Sequence, residues 1–276
     1  MAVPTVLKIS RAAAVLIVGV GALAACGSDD GGRISADSPA PRTSAPNDAS
    51  DGAPAGDARL VLRSKQSGGF AGLGGPGSVP DFSLFSDGRA IVSEPKGAVP
   101  VLREYRLTPA ALAKLLADAR AAGLERSRSI GEGDQIADGI TLEISMGRAT
   151  TRILQPESRP DPAARFAKRL DPSGWAPGDL AAKPRVYEPA AVAAIAGESL
   201  NGTGRTLDWT LAPLGKGEQA AGGLCTVLKG RDAQTARKVV GAEQIGTGWR
   251  SQGKVYSVRL RPLLPDESTC KDAARA

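Results

Sequence analysis

The chain of 276 residues contains no histidine, and that absence bounds the chemistry open to it. Hydrolysis by a serine or cysteine with an imidazole base is excluded, as are imidazole metal sites and histidine proton shuttles. Carboxylates remain. In glycoside hydrolysis two of them flank the scissile bond, one giving a proton and the other acting as base or nucleophile. Asp134 and Asp138, in a polar loop, are the candidate local pair. Spacing alone does not bring two carboxylates to one cleft, and acidic loop residues are ordinarily solvated. The same loop lacks the ligand spacing of an EF-hand, so no metal is expected. Gly72, Gly74 and Gly77 satisfy a Gly-x-Gly-x-x-Gly pattern. That fingerprint works by opening a helix whose N-terminus faces a pyrophosphate, whereas Pro76 and Pro80 interrupt here and a strand follows. Neither a nucleotide nor any other cofactor is expected. The better functional reading of this loop is a mobile segment presenting Phe70 and Leu73 to a partner; the alternative is that both side chains tuck back onto a sheet edge.

Thiol chemistry begins at Cys26. Lys8 and Arg11 precede an apolar run from Ala12 to Leu23 that closes on Leu23, Ala24, Ala25 and Cys26. A positive start, a short apolar stretch and small residues before the cysteine make an export signal with a cleavage site. About a dozen apolar residues are too few for a permanent span, which needs roughly twenty. Leu-Ala-Ala-Cys in this context resembles the lipobox of bacterial lipoproteins. The resemblance implies diacylglycerol on the Cys26 sulfur, cleavage after Ala25, and a location on the outer face of the cell membrane. Otherwise the segment is an ordinary secretory signal and Cys26 a bystander thiol.

With 3 cysteines in the chain, acylation of Cys26 leaves Cys225 and Cys270, which an oxidising compartment is expected to join. Residues 27–57 hold a single large aliphatic side chain, Ile34, and cannot bury enough surface to offset their ordering entropy. They read as a disordered tether, about 30 Å long on average with a reach of about 100 Å. Six acidic residues lie in it against Arg33 and Arg42, so the folded part is more basic than the whole-chain charge of +6. Arg250, Lys254, Arg259 and Arg261 crowd the last hairpin, with Arg259 and Arg261 on one face. They read either as a patch for an anionic polymer, lipid or acidic envelope protein, or as an ordinary solvated face. No nucleic-acid motif is present and the compartment is extracytoplasmic, so nucleic acid is not expected.

The elements that must position these residues follow from periodicity. Leu60 and Leu62 share one face of a strand over 59–64. Strands at 81–86 and 89–93 flank Asp87-Gly88, which suits a two-residue hairpin turn. A strand at 102–107 leads to Thr108 as N-cap and Pro109 as first helical residue, with Leu112, Leu115, Leu116 and Ala119 at helical spacing to Gly123. Ile140, Leu142, Ile144 and Met146 alternate with polar residues, and Gly147-Arg148 turns into a partner strand at 149–154. Asp161 and Pro162 open a short helix carrying Phe166 and Leu170, and residues 172–184 read as a connector. Beyond it come a strand at 224–228, a helix capped by Asp232 with Ala236, Val239 and Val240 inward, and a hairpin of 244–250 with 254–261. Strand, helix and hairpin thus occur twice. The expected class is α+β, antiparallel sheets each packed by a helix, with the relation between the two halves left open. The organisation is signal peptide 1–25, lipidated cysteine and tether 26–57, an N-terminal α+β domain 58–156, helix and connector 157–183, and a C-terminal α+β domain 184–276.

Gly68-Gly69-Phe70, Pro80, Phe82-Ser83-Leu84-Phe85, Asp87-Gly88-Arg89, Leu107-Thr108 and Asp138-Gly139 together resemble a domain of unknown function of bacterial envelope proteins. Trp249, the 261–267 segment Arg-Pro-Leu-Leu-Pro-Asp-Glu and Cys270 resemble the C-terminal half of uncharacterised lipoproteins from high-GC Gram-positive bacteria. This implies location and fold, and carries over no catalytic residue. The expected function is display of a non-catalytic binding or interaction domain anchored to the membrane through Cys26. The alternative is a histidine-independent, carboxylate-based hydrolase of envelope polymers.

Overall fold

The computed structural model describes residues 58–70, 73–94, 101–131, 138–198, 205–241 and 246–275. Cys26, the signal and tether segments, Gly72 and Asp134 lie outside the described residues.

Alternation organises the first sheet. Strand β1 (Leu60–Gly68) turns Leu62 and Ser64 to one face and Arg63 and Lys65 to the other. Strands β2 (Phe82–Phe85) and β3 (Arg89–Glu94) form the hairpin around Asp87-Gly88, with a loop of three residues rather than the expected two. Gly88 N–H donates to the Phe85 carbonyl at 3.0 Å, and Gly88 takes a φ of 81°. A tight turn followed by a left-handed glycine is the three-residue solution to a hairpin. Strand β4 (Val101–Leu107) leads into helix α1 (Pro109–Ala121), whose first turn is capped by Thr108 Oγ1 accepting the Ala111 N–H at 3.2 Å. Short β5 (Arg128–Ile130) precedes the hairpin of β6 (Ile140–Met146) and β7 (Ala149–Leu154). Asp161 caps helix α2 (Pro162–Ala167) by accepting the Ala163 N–H at 2.8 Å. The stretch expected as a connector is instead folded: two 3-10 turns lead into β8 (Leu180–Val186), which pairs with β4.

Among the described residues this sheet has eight strands in the order β5-β7-β6-β1-β2-β3-β4-β8, antiparallel except for the edge pair β5 and β7. The antiparallel pairing expected for this half holds through the sheet, and the short edge pair is the parallel addition that makes it mixed. Helices α1 and α2 cover one face, burying Leu62, Leu84, Leu107, Leu115, Ala119 and Phe166 together.

The second sheet is built on β9 (Ala191–Glu198), flanked by elements that include β10 (Thr206–Asp208), β11 (Glu218–Ala220) and β12 (Gly223–Lys229). Helix α3 (Gly230–Gly241) starts two residues before Asp232, which lies inside the first turn rather than ahead of it. Ala233 and Ala236 are its buried residues, and Val239 is exposed, contrary to expectation. Strands β13 (Gly248–Ser251) and β14 (Lys254–Pro262) and helix α4 (Cys270–Arg275) complete the chain. The order of the six described strands is β10-β13-β14-β9-β12-β11. Trp209 and Trp249, 5.7 Å apart edge to face, pack with Ala236 under α3. Ile195, Leu263 and Ala273 fill the opposite face beside Cys225 and Cys270, which are disulfide-bonded.

The class is α+β, two mixed sheets forming two halves. They share a plan more than a strand order. In each, an inner strand of the last hairpin pairs antiparallel with the half's first strand, β6 on β1 and β14 on β9, and the hairpin's outer strand takes a short parallel neighbour. Both halves lie in the single unit Ala53–Ala276. Leu264 joins them by packing against Phe85, Ile91, Leu102 and Tyr187, while the Tyr187 hydroxyl donates to the Leu263 carbonyl at 2.8 Å.

Candidate functional site

On the helix-covered face of the first sheet, register aligns side chains in rows across the strands. Met146, Leu62, Leu84, Ala90 and Tyr105 form one row, and Ile144, Ser64, Phe82, Val92 and Arg103 the next. One step further out the row becomes polar, with Gln66 and Glu94 in phase beside Leu142. The core face therefore grades into a polar rim at one end of the sheet. There the turn after α2, Leu170 to Ser173, overhangs strands β6, β1, β2, β3 and β4 and encloses a cleft of about 530 Å³.

Phe82, Val92 and Leu142 of the sheet, almost fully buried, lie beneath the cleft and Leu170 lines it from the turn, and three carboxylates from separate parts of the chain stand around it: Asp81, Glu94 and Asp171. Each is oriented by the protein's own donors. Glu94 Oε1 accepts the Tyr105 hydroxyl at 2.5 Å and Oε2 accepts Arg103 Nε at 2.9 Å. Asp81 Oδ2 accepts the Gln66 N–H at 2.6 Å, and Asp171 Oδ1 accepts the Ser173 N–H at 2.9 Å. Burial pushes the Asp81 carboxyl above its usual range, opposed by the Gln66 N–H and the charge of Lys65. Burial, then the bond to the Glu94 carboxylate, pushes the Tyr105 hydroxyl up to about 12, so it stays a donor at neutral pH.

The overhanging turn is fixed from beneath. Trp175 stands edge to face with Tyr105 and Phe82, centroids 5.5 and 6.2 Å apart, and its Nε1 donates to the Arg169 carbonyl at 2.9 Å. Arg128 of β5 binds the Asp161 cap of α2 at 3.0 Å and donates to the Ala122 carbonyl after α1, locking the two helices together. On the far side of the turn a second groove of about 230 Å³ is lined by Lys114, Lys168 and Trp175, and the two cavities meet at Asp171.

The residues singled out from sequence lie elsewhere. Phe70 is 96% exposed and Leu73 46%. Gly68 and Leu73 close their loop by exchanging backbone hydrogen bonds at 3.0 and 2.9 Å, so the two side chains project rather than tucking back. Arg259 and Arg261 do not form a surface patch, which corrects that expectation. Strand β14 lies between β13 and β9; along it Arg259 is exposed while Arg261 is buried, so the two make no common patch. Arg261 is 1% exposed and is paired through both guanidinium nitrogens with Glu267, itself buried. Arg63 of the first sheet extends the network to Asp266 at 2.9 Å. Arg259 donates to the carbonyls of Pro76 at 2.8 Å and Ala221 at 3.2 Å, pinning the glycine-rich loop to the second half. That contact explains Gly77: a Cβ there would lie 2.7 Å from Ala221 Cβ. Gly77 thus serves close packing ahead of a strand and opens no helix. Asp138 is exposed, with a left-handed φ of 57°.

Sequence reasoning missed the three cleft carboxylates, which only the fold assembles. One signal was available: Glu94 continues the inward phase of Ala90 and Val92, a charge where a core residue is due. Among the described residues no group of three acidic or cysteine side chains could hold a metal ion, and no helix is long and apolar enough to cross a membrane. No family model, curated protein or solved structure matches the chain.

Proposed function

We propose that this chain is a binding protein displayed on the outer face of the cell membrane, anchored by lipid on Cys26, and that the cleft under the 170–173 turn holds its ligand without turning it over. The carrying observation is a cavity of about 530 Å³, within the roughly 300–1,000 Å³ of small-molecule sites, whose polar groups are already fixed by internal donors. Such preorganisation suits recognition, because the acceptors need not be ordered when the ligand arrives. The lipobox context and the resemblance to envelope lipoproteins support the location.

A second reading, a carboxylate-based hydrolase of envelope polymers, is favoured by one feature: burial raises the Asp81 carboxyl, as a general acid requires. One experiment separates the two. The full chain is incubated with solubilised envelope polymer, and melting temperature and new reducing ends are followed. A rise in melting temperature without cleavage supports the binding protein. Reducing ends that disappear with Asp81→Asn establish the hydrolase, and neither response overturns the assignment of the cleft.

A further inference from the structure

We propose that Phe70, Leu73 and Ile140 form a second membrane contact, an apolar tip that enters the lipid surface to which Cys26 tethers the chain. The proposal rests on the lipid at Cys26 and is independent of what the cleft holds. Among the described residues five large hydrophobic side chains are exposed; these three are brought together, and the other two, Val186 and Val239, belong to β8 and α3. The backbone makes the juxtaposition. Gly68 pairs with Ile140 at the end of the β1 and β6 ladder and closes on Leu73 through two hydrogen bonds, and the Gly69 N–H reaches the Gly139 carbonyl at 3.4 Å. Side chains at the base would block this: a Cβ on Gly68 would lie 2.5 Å from the Gly139 oxygen, and one on Gly74 2.1 Å from the Gln66 oxygen. Both glycines also take a positive φ. The base of the loop is therefore closed and its apolar residues are turned outward. The chain has four phenylalanines; Phe82, Phe85 and Phe166 are buried, and Phe70 alone is not. A side chain that the core would accept stands in water, at a site built to keep it there.

Three features select lipid over a protein partner. The first is area: a fully exposed aromatic offers about 150–250 Å², so the tip falls well short of the roughly 800 Å² per partner that a stable protein interface covers. A lipid surface needs no matching shape, and a chain already acylated needs only a modest second contact to fix its orientation. The second is charge. From Gly68 to Pro80 the sequence carries no charged residue, so that stretch has no ion to desolvate on entering the interface. The charge nearest to Ile140 along the chain is the exposed Asp138, and Arg259, at the far end of the loop, is taken up by the carbonyls of Pro76 and Ala221. The contact is therefore apolar and not an attraction to anionic headgroups. The third is reach. Strand β1 is nine residues long and puts the tip about 30 Å from the point where the tether enters the sheet. The coil length that composition implies for residues 27–57 is also about 30 Å. Effective concentration is greatest when the two match, so a contact too weak to recruit a free protein holds a tethered one. Gln66, two residues before Gly68 on β1, lines the cleft; docking on the tip thus turns the cleft end of the first sheet toward the lipid.

The test uses the full acylated chain, reconstituted through its own lipid into phosphatidylcholine vesicles with and without phosphatidylglycerol, at low and high salt. With Cys26 acylated and Cys225 bonded to Cys270, Leu73→Cys and Arg148→Cys each supply one thiol for an environment-sensitive fluorophore. Arg148 is exposed in the turn between β6 and β7, at the opposite end of the sheet from Ile140, and serves as the control. The expected result is a blue shift and quenching by nitroxide-labelled lipid at position 73 and neither at 148. Both signals should be unchanged by salt or lipid charge and lost when Phe70→Ser is added; equal melting temperatures establish that this exposed substitution leaves the fold intact. Quenching absent at 73, or the same with Phe70→Ser, overturns the tip. Quenching that needs phosphatidylglycerol and vanishes with salt makes the contact electrostatic and overturns it too. A blue shift without quenching that grows with protein density puts a second copy on the tip in place of lipid. These outcomes leave the anchor standing. A chain that fails to float with the vesicles and carries a free Cys26 thiol ends the anchored reading itself, and the tip proposal falls with it.

Discussion

Arg261 and Glu267 bury opposite charges against each other, and this decides what a substitution there does. Removing one partner strands the other charge away from water, which costs about 3–5 kcal/mol. Glu267→Ala should therefore lower the free energy of unfolding, read from urea denaturation, by about that much. Replacing both together, Arg261→Met with Glu267→Leu, should recover most of the loss, because the desolvation of the pair disappears with it. If Glu267→Ala stays within about 1 kcal/mol of wild type, the charges are not buried as described. Asp81 gives a prediction in pH. Its folded pKa is raised by burial, so the stability it contributes is fully present below the unfolded carboxylate value and is lost as pH rises through the folded one. Asp81→Asn, which cannot ionise and keeps an acceptor for the Gln66 N–H, should gain melting temperature relative to wild type as pH goes from acid to neutral. A difference constant with pH would refute the assignment. At this scale the sequence was legible in phase but not in partner. Alternation put Arg259 and Arg261 on one face correctly, yet could not say that the face meets a glycine loop and the 262–267 segment. Asp81, Glu94 and Asp171 are likewise separated along the chain, and their meeting is a property of the sheet register.

Elements with a cap or a clear period were read well, and those buried on both sides were not. Helix α1 has Thr108, Pro109 and leucines at helical spacing, and it forms where the period says. Its contact with the sheet is carried by Leu115, which is buried, while Leu116 is only partly so. Leu115→Ala should cost about 2–5 kcal/mol in denaturant unfolding, and Leu116→Ala clearly less. The reverse ranking would mean that the helix is rotated from its described face. Strand β9 left no signal, because Ala-Val-Ala-Ala-Ile-Ala lies at the centre of a sheet covered on both faces and has nothing to alternate with. Its alanines have low strand preference in isolation; tight packing beneath the tryptophans and opposite Leu263 decides the matter. Strands β5, β10 and β11, of three residues each, are too short for any period to appear. Strand β8 was masked by Pro184, which an edge strand tolerates and a central one does not.

Across the whole molecule, the two halves are held by the segment that follows β14, and the disulfide sits at its far end. A chain passing through Pro262 and Pro265 cannot go on pairing in a sheet, and without a staple it would be loose beyond that point. The structure divides that segment in two. Residues 261–267 are anchored independently, by the buried Arg261 and Glu267 pair, by Leu264 in the contact between halves, and by the Tyr187 hydroxyl on the Leu263 carbonyl. Beyond them α4 is one and a half turns long and is tied to β12 through Cys270 and Cys225, with Ala273 buried beside them. Asp272 helps locally: the Ser268 N–H, then the Thr269 hydroxyl, hold its carboxyl well below the usual range, and this cap lies within the last short helix and its approach. Closing a loop with 45 residues of separation restricts the unfolded chain by about 4 kcal/mol on the chain-entropy model, against a typical margin of 5–15 kcal/mol. Reduction should thus lower the melting temperature and free α4 while the joint between the halves survives. Limited proteolysis of the reduced protein, followed by mass measurement of the products, should show the first cuts after residue 267, with residues 261–267 and the first sheet intact until the whole unit unfolds. First cuts between 262 and 267, or a melting temperature indifferent to reduction, would show that the disulfide and not the buried ion pair holds the halves together, or that neither does.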